Sequence, residues 1–346
     1  MTDPAPHSTA KDTLFRRLFG RVEAQDVAPI VSLALLILFF GVATGGAFFK
    51  PATLVQTLKQ GSVLAIVSVG LTYVLLCAEI DLAVGMVALW TACLCGWMFE
   101  LPFAAGPKGA GDAAGWAVAV VLVIPLVSGV LLGLASGVLT VWSQLPSFII
   151  TLAMMNIADG MSRWLTKSEK FNVPTVLKTI GNRGIDLTDR IQIPYSALLA
   201  AVVFLVGHVV LQHTRFGRYV YMTGGNREAA RLAGVRTGLI VIACLAIGAF
   251  TAGLGGLVNA GRLNSVSLDQ NADLLLSAVA CVVLGGTSLF GGSGGMGRTV
   301  IGVLTFSVLK VGLNQVLWIN DLARPLLMGL VLLLALVVNG LLSKKR

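Results

Sequence analysis

Long apolar segments alternate with short polar ones along most of this chain. About ten of these segments approach the roughly 20 residues that a helix needs to cross a bilayer. We therefore predict an all-α fold, a polytopic membrane helix bundle of about ten transmembrane helices over residues 28–343. The predicted spans lie near residues 28–49, 61–79, 83–101, 115–140, 146–165, 194–212, 237–259, 272–290, 299–318 and 323–342.

Two polar stretches near the start of the chain predict structure outside the bilayer core. Residues 1–27 are polar and predict a cytoplasmic N-terminal tail, with a short helix near residues 14–19. Residues 51–60 predict a short interfacial helix that begins at Pro51, because proline is favoured in the first turn of a helix.

The composition supports a membrane protein and excludes other classes. Of the 346 residues, 56% are hydrophobic and 12% are charged, whereas about one-quarter of the residues of soluble domains are charged. Basic residues of membrane proteins collect in cytoplasmic loops, so the net charge of +9 does not indicate nucleic-acid binding. The five cysteines and three histidines show no metal-ligand spacing, and we predict no metal site.

The distribution of lysine and arginine predicts the orientation in the membrane. Residues 213–236 contain five arginines and a single acid, Glu228, so this loop is predicted to be cytoplasmic. With an even number of spans, both termini are then cytoplasmic as well. The segment 166–193 falls on the opposite side, although it carries five basic residues.

The most informative part of the cytoplasmic loop is residues 224–234, with the sequence GGNREAARLAG. It predicts a short amphipathic helix with a small face made of Ala229, Ala230 and Ala233, and Gly234 ends that helix. Such a helix can dock on a soluble partner. A solvated loop between two spans is the alternative.

Two carboxylates mark the junction between the second and third predicted spans. Ionisable groups at membrane depth are costly and serve a pathway or a structural pair. Asp81 is predicted to cap the third helix. Glu79 either belongs to the same acidic turn or faces the substrate pathway or its gate.

Two further junctions are candidates for the pathway or gate. Pro146 is predicted in the first turn of a new helix, followed by Phe148, and polar residues then lie on that helix: Thr151, Asn156 and Asp159. They either bind helices together or line a hydrophilic path.

Residues 285–295 contain too many glycines to remain helical, and this region includes Gly285, Gly286 and Thr287. They form a tight turn at the membrane surface or a broken element beside the pathway. Lys310, inside the ninth span, either snorkels or pairs with an acid.

Catalytic chemistry is not predicted for this chain. It has no G-x-x-x-x-G-K-[ST] phosphate loop, so ATP-driven transport would need another polypeptide for hydrolysis. A nucleophile and base constellation is likewise missing from the sequence pattern. An ion-coupled secondary transporter is the main alternative, with four candidate acids: Glu79, Asp81, Asp159 and Asp273.

Several motifs in a fixed order indicate a family. The segments AEIDLAVG, LPSFIITLAMMNIADG, TRFGRYVYMTGGNREAARLAGV and CVVLGGTSLFGGSGG resemble those of membrane permease subunits of bacterial ABC sugar importers of the ribose/xylose class. The resemblance covers about residues 50–340. AEIDL, in place of the GGIDL of ribose-type members, is more similar to xylose-type permeases.

The resemblance implies half of an importer in the bacterial inner membrane. A second permease chain, most simply in a homodimer, would complete the pathway, and cytoplasmic ATPase subunits would bind ATP and magnesium. A periplasmic binding protein would deliver a monosaccharide, and this chain would need no cofactor. The family's coupling helix carries over to Gly225, Asn226, Glu228, Ala229, Ala230, Arg231 and Gly234.

The chain departs from the family pattern at three places. Residues 275–277 read Leu-Leu-Ser where family members commonly carry an acid, Lys310 stands where asparagine is frequent, and Ala83 replaces a frequent serine. These departures can change the substrate range. The sugar, and whether the permease pairs with itself or with a different permease, stay open.

Overall fold

The computed structural model describes residues 24–104, 115–188, 191–271, 273–316, 320–330 and 333, and helices dominate these residues. The helices are α1 (Ala24–Ala43), α2 (Pro51–Leu76), α3 (Val84–Phe99), α4 (Gly115–Ser143), α5 (Ser147–Thr166), α6 (Thr175–Asn182), α7 (Tyr195–His213), α8 (Arg215–Gly225), α9 (Arg227–Leu232), α10 (Thr237–Leu263), α11 (Leu274–Leu284) and α12 (Met296–Gln315). Short 3₁₀ turns lie at Ala47–Phe49 and Asp321–Ala323.

Four short strands form two small antiparallel pairs outside the bundle. They are β1 (Phe171–Asn172), β2 (Gly184–Thr188), β3 (Ile191–Pro194) and β4 (Ser265–Val266). β1 pairs with β4, with Phe171 opposite Val266, and β2 pairs with β3.

The predicted polytopic helical fold is confirmed. Five helices of the described chain are long and apolar enough to cross a membrane, namely α2, α4, α7, α10 and α12. Nine of the ten predicted spans each overlap a helix of the described residues. The tenth, residues 323–342, is described only through the helical residues 324–330 and residue 333, so the count of ten stays a prediction.

Several predicted boundaries were wrong. Residues 51–60 do not form a separate interfacial helix, because α2 continues without a break from Pro51 to Leu76. The first span begins at Ala24, inside the predicted tail, and ends at Ala43. Left-handed glycines at 45 and 46 then turn the chain. The helix predicted near residues 14–19 lies outside the described residues.

The predicted span 272–290 was also wrong in its extent. α11 has 11 residues, which at 1.5 Å per residue is about 16 Å, roughly half the thickness of the bilayer core. The glycine-rich segment after it turns the chain through five positive-φ residues, Gly286, Gly291, Gly292, Gly294 and Gly295. α11 is therefore a half-length element followed by a broken segment.

The bundle is built around α10, which packs against α2, α3 and α4. Glycines allow these close approaches: a Cβ at Gly256 would lie 2.1 Å from the carbonyl oxygen of Ala88, and one at Gly133 would lie 2.4 Å from the Cβ of Ala249. Small residues serve this purpose in membrane bundles because lipid offers no hydrophobic drive for helix association.

The loops lie at two opposite ends of the bundle, and we name the ends by one residue each. At the Glu79 end, residues 79–82, 146–151 and 213–236 come together with the glycine-rich turn at 285–295. At the Arg262 end, the side-chain amide of Asn182 in α6 donates to the carbonyl of Gly261 (2.9 Å), and β1 pairs with β4. The two basic loops, 213–236 and 166–193, are thus on opposite ends.

We predict that Gly256→Ala destabilises the protein by about 1–3 kcal/mol, because the new methyl group would clash with the backbone of α3. Thermal denaturation of the detergent-purified protein measures the change. Gly160→Ala is the matched control, since Gly160 lies on a helix and faces open space, where alanine is favoured. An equal melting temperature for the two variants would contradict the packing around α10.

Candidate coupling site

Two of the predicted helix junctions are tied together by hydrogen bonds. The backbone N–H of Ile80 donates to Oγ of Ser147 (3.0 Å), and that of Leu82 donates to Oγ1 of Thr151 (3.1 Å). The turn after α2 therefore rests on the first turn of α5. Thr151 binds helices together, which was one of the two roles open for it.

The glycine-rich turn joins the same cluster. The backbone N–H of Gly292 donates to the carbonyl of Leu76 (3.0 Å), and a Cβ at Gly292 would lie 2.7 Å from Cα of Gly225. Oη of Tyr221 in α8 donates to the carbonyl of Gly294 (3.0 Å). The three junctions and the loop 213–236 thus form one contiguous region at the Glu79 end.

Three of the predicted pathway or gate residues lie inside the glycine-rich segment. Gly285 allows a close approach, because a Cβ there would lie 2.2 Å from the carbonyl of Arg298. Gly286 has a φ of +89°, and Thr287 is buried with no partner for its Oγ1 among the described residues. The segment is a tight turn next to α8.

The loop 213–236 contains two helices, each with a side-chain cap. Oγ1 of Thr214 accepts from the N–H of Gly217 (3.3 Å) at α8, and Oδ1 of Asn226 accepts from the N–H of Ala229 (2.9 Å) at α9. Gly234, with a φ of +83°, follows the end of α9. The predicted short helix that ends at this glycine is present, and Gly225 is the last residue of the preceding helix.

The composition of the exposed face of α9 differs from the prediction. Ala230 is 2% exposed and belongs to a buried cluster with Val235 and Val241, so it is not part of that face. Ala229 and Ala233 are exposed, and Leu232 is 81% exposed. The helix lies against the bundle through one buried side chain, that of Ala230.

The charged flanks of this face are Glu228 and Arg231. Nη2 of Arg231 lies 3.2 Å from Oε1 of Glu228, and both side chains are more than half exposed. The exposed surface of α9 therefore combines small residues, one large apolar side chain and an ion pair.

Glu79, one of the two acids at the α2–α3 junction, forms an ion pair that joins this junction to α9. Its carboxylate accepts a hydrogen bond from Nη2 of Arg227, the first residue of α9. The Glu79 side chain is 6% exposed and that of Arg227 is 51% exposed. Arg227 was missed as a site residue, although a buried acid predicts a nearby cation.

Asp81 and Pro146 differ in detail from their predicted roles. Oδ1 of Asp81 accepts from the N–H of Ala83 (2.9 Å), which precedes the first residue of α3. Asp81 therefore bonds to the residue that precedes α3 and does not cap the first turn of that helix. Pro146 is the residue before α5, not inside its first turn, and Phe148 is 44% exposed.

A cavity of about 360 Å³ lies between α9 and these junctions. Its wall includes Glu79, Gln144, Pro146, Arg227, Glu228 and Thr237. The ion pair between Glu79 and Arg227 therefore lies on the wall of this cavity, next to the packed bundle.

The acids proposed for an ion-coupled carrier do not gather at one site. Asp159 pairs with Arg163 on the surface of α5 (2.9 Å), far along the chain from the pair that Glu79 forms. Within the described residues, no group of three or more His, Cys, Asp or Glu side chains could hold a metal ion.

Comparisons with known proteins agree with this architecture. The family described as "Branched-chain amino acid transport system / permease component" matches residues 53–336. The ribose import permease protein RbsC of Escherichia coli (strain K12) is 32% identical over 94% of this chain and 97% of its own length. No solved structure matches the chain.

Other relatives carry different sugars in their names. The fructose import permease protein FrcC of Rhizobium meliloti is 28% identical over 99% of this chain and 93% of its own length. The xylose transport system permease protein XylH of Escherichia coli (strain K12) is 27% identical over 91% of this chain and 92% of its own length. Similarity over the whole chain is thus higher to the ribose permease than to the xylose permease, contrary to what the AEIDL motif favours.

The chain is a polytopic bundle of apolar helices, and the match to a family of permease components extends over most of it. The protein belongs to this family of transport-system permease components, which are multi-pass proteins of the bacterial inner membrane.

We predict unequal costs for breaking the ion pair from its two sides. Arg227→Gln leaves a buried carboxylate without a cation and should cost about 1–3 kcal/mol, less than a fully buried pair because Arg227 is half exposed. Glu79→Gln removes the buried charge and leaves an exposed arginine in water, so it should cost less. Thermal denaturation of the purified protein measures both.

The double variant Glu79→Gln/Arg227→Gln should be close in stability to Glu79→Gln alone. Equal losses from the two single variants would show that the carboxylate does not depend on Arg227.

Proposed function

We propose that this chain is the permease subunit of an ATP-driven ABC importer that moves a monosaccharide across the inner membrane by alternating access. The observation that carries the proposal is the short helix α9. Its exposed face carries Leu232 between two exposed alanines, while its first residue, Arg227, is paired with Glu79 inside the bundle. One side of this helix is available to a partner, and the other side is bonded to the membrane helices.

In the proposed mechanism, α9 docks in a groove of a cytoplasmic ATPase. When ATP and magnesium close the ATPase dimer, α9 moves as a rigid body. The ion pair and the buried Ala230 pass this motion to the α2–α3 junction, and the contact of Ile80 with Ser147 passes it on to α5. The chain itself binds no cofactor and hydrolyses no ATP.

The substrate class follows from the relatives. They are named for ribose, fructose and xylose import, and they align over nearly the whole chain, whereas the family description names branched-chain amino acids. We assign a pentose or similar simple sugar. A periplasmic binding protein delivers it, and a second permease chain, in a homodimer, completes the pathway.

The proposed pathway runs near the junctions at the Glu79 end, beside the dimer axis. The residues assigned to its gate are Glu79, Asp81, Pro146, Phe148, Gly285, Gly286 and Thr287. An ion-coupled carrier fits less well, since Glu79 and Asp159 are already paired with arginines and the relatives are import-system permeases.

Uptake by reconstituted vesicles tests the function. Proteoliposomes with this permease, its ATPase and its binding protein should import at least one of radiolabelled D-ribose, D-xylose or D-fructose, but not L-leucine, and only with ATP inside. Glu228→Lys should abolish this uptake and weaken co-purification of the ATPase. Its exposed pair with Arg231 contributes only about 0–1 kcal/mol, so lost stability would not explain the defect.

Glu169→Lys is the matched control, because Glu169 is exposed near the Arg262 end and should tolerate the same charge change. Full uptake and normal ATPase association in Glu228→Lys would remove the coupling role of α9. Gly234→Val should uncouple in the same way, since valine at a φ of +83° is strained.

We predict that the Glu79 end faces the cytoplasm, with both termini on that side. A cysteine at Ala229 should react with membrane-impermeant thiol reagents only in inside-out vesicles. A cysteine at Lys178, in α6 near the Arg262 end, should react only from the periplasm. The reverse pattern would invert the whole orientation.

A further inference from the structure

A second cavity lies near the Arg262 end and is separate from the coupling site. It has a volume of about 140 Å³ and lies among α2, α10, α11 and α12. Pockets for drug-sized ligands have volumes of about 300–1,000 Å³, so this smaller cavity fits one small solute. The polar residues on its wall are Gln60, Asn259, Arg262, Gln270, Ser277 and Lys310, with Asp269 and Asp273 beside them.

Two of its residues, Asn259 and Arg262, belong to an ordered hydrogen-bond chain. Nε and Nη2 of Arg262 donate to Oδ1 of Asn259 (3.2 and 3.0 Å). Nδ2 of Asn259 donates to Oδ1 of Asn271 (2.8 Å), a residue that is 1% exposed. These bonds fix the amide orientations before any ligand arrives.

Other polar atoms here are left without partners. Oε1 of Gln60 and Nε2 of Gln270 are both buried and unpaired among the described residues, as is Nδ2 of Asn271. A buried polar atom without a partner costs about 1–3 kcal/mol. Gln60 and Gln270 line the cavity, so a small rotation of their side-chain amides would turn an unpaired acceptor and an unpaired donor toward a ligand.

The charges in the cavity balance. Arg262 and Lys310 carry two positive charges, and Asp269 and Asp273 carry two negative charges. Within the described residues, none of the four is in an ion pair closer than 4.0 Å. Mixed donors and acceptors without net charge favour a neutral solute whose groups both donate and accept, and hydroxyls do so.

The cavity also has apolar wall. Val63, Leu64 and Leu274 line it, and such side chains can cover the C–H face of a sugar ring. Ser277 and Lys310 are two of the positions where the chain departs from the pattern of the family it resembles, and both lie here.

The position of the cavity suits a solute that enters from the Arg262 end. Lys310 lies five residues before the end of α12, which places it about 7 Å below that end. Asp269 and Asp273 are exposed and mark the mouth. A solute released at this end can reach the polar atoms without crossing the bundle.

We propose that this cavity is a transient binding site for a neutral monosaccharide on the entry side of the permease. The proposal rests on the proposed function, because it takes the transported sugar as the ligand. Gln60, Gln270 and Lys310 contact the hydroxyls, and Asp273 accepts from them at the mouth. Binding is weak, so the sugar moves on and is not trapped.

Protection of a cysteine from a thiol reagent tests the site directly. Ser277→Cys changes one atom inside the cavity, and the five native cysteines are buried, so the parent protein serves as the blank. In the purified permease, D-ribose, D-xylose or D-fructose at about ten times a millimolar Kd should slow modification by a small methanethiosulfonate roughly tenfold. Ser265→Cys, in β4 outside the cavity, should show no protection.

Transport by variants of the reconstituted importer provides the second measurement. Asp273→Asn and Lys310→Met should each lower the maximal uptake rate about tenfold, the effect of losing about 1.4 kcal/mol. ATPase association and the sugar concentration for half-maximal uptake, which the binding protein sets, should not change. Lys178→Met, near the same end but outside the cavity, should transport normally.

The outcomes separate this site from the proposed function. Normal uptake by both variants, with no protection of Ser277→Cys while the parent imports sugar, would overturn the site and leave the function standing. Protection by sodium phosphate but not by sugars would overturn it as an anion site. Failure of the parent to import any sugar would overturn the function and the ligand class together.

Discussion

A buried carboxylate needs a cation, and in this protein that requirement joins the loop 213–236 to the helix bundle. Glu79 stands at the end of α2 with almost no access to solvent. Its charge is stabilised by Arg227, which begins α9 and stays half exposed. Because an unpaired charge in this position is costly, α9 cannot move away from the α2–α3 junction without a penalty, and the two are mechanically linked.

Non-helical backbone imposes a similar constraint on the remaining junctions. In a membrane bundle its polar groups must be covered by protein or by a hydrated cavity. The turn after α2 is covered by hydroxyls of α5, and the glycine-rich turn before α12 is covered by the end of α8. The two turns consequently meet in one region, next to α8 and α9.

Sequence patterns located most elements but not their ends. The order of motifs and the apolar segments predict the spans, and Gly234 correctly marks the end of the short helix α9. α11 is shorter than the span predicted from hydropathy, and it ends where the glycine content of residues 285–295 predicts a break. Likewise, an alanine triplet predicts a small face, but only packing against Val235 and Val241 decides that Ala230 turns inward.

The sequence by itself determined the class of fold, the membrane location and the family, because apolar length and motif order are local properties of the chain. The partner of Glu79 and the polar cavity beside Lys310 were decided only by the tertiary structure. Both bring together residues separated by many positions, 148 in the case of Glu79 and Arg227. Their contact depends on how the surrounding helices pack in three dimensions, which no local pattern records.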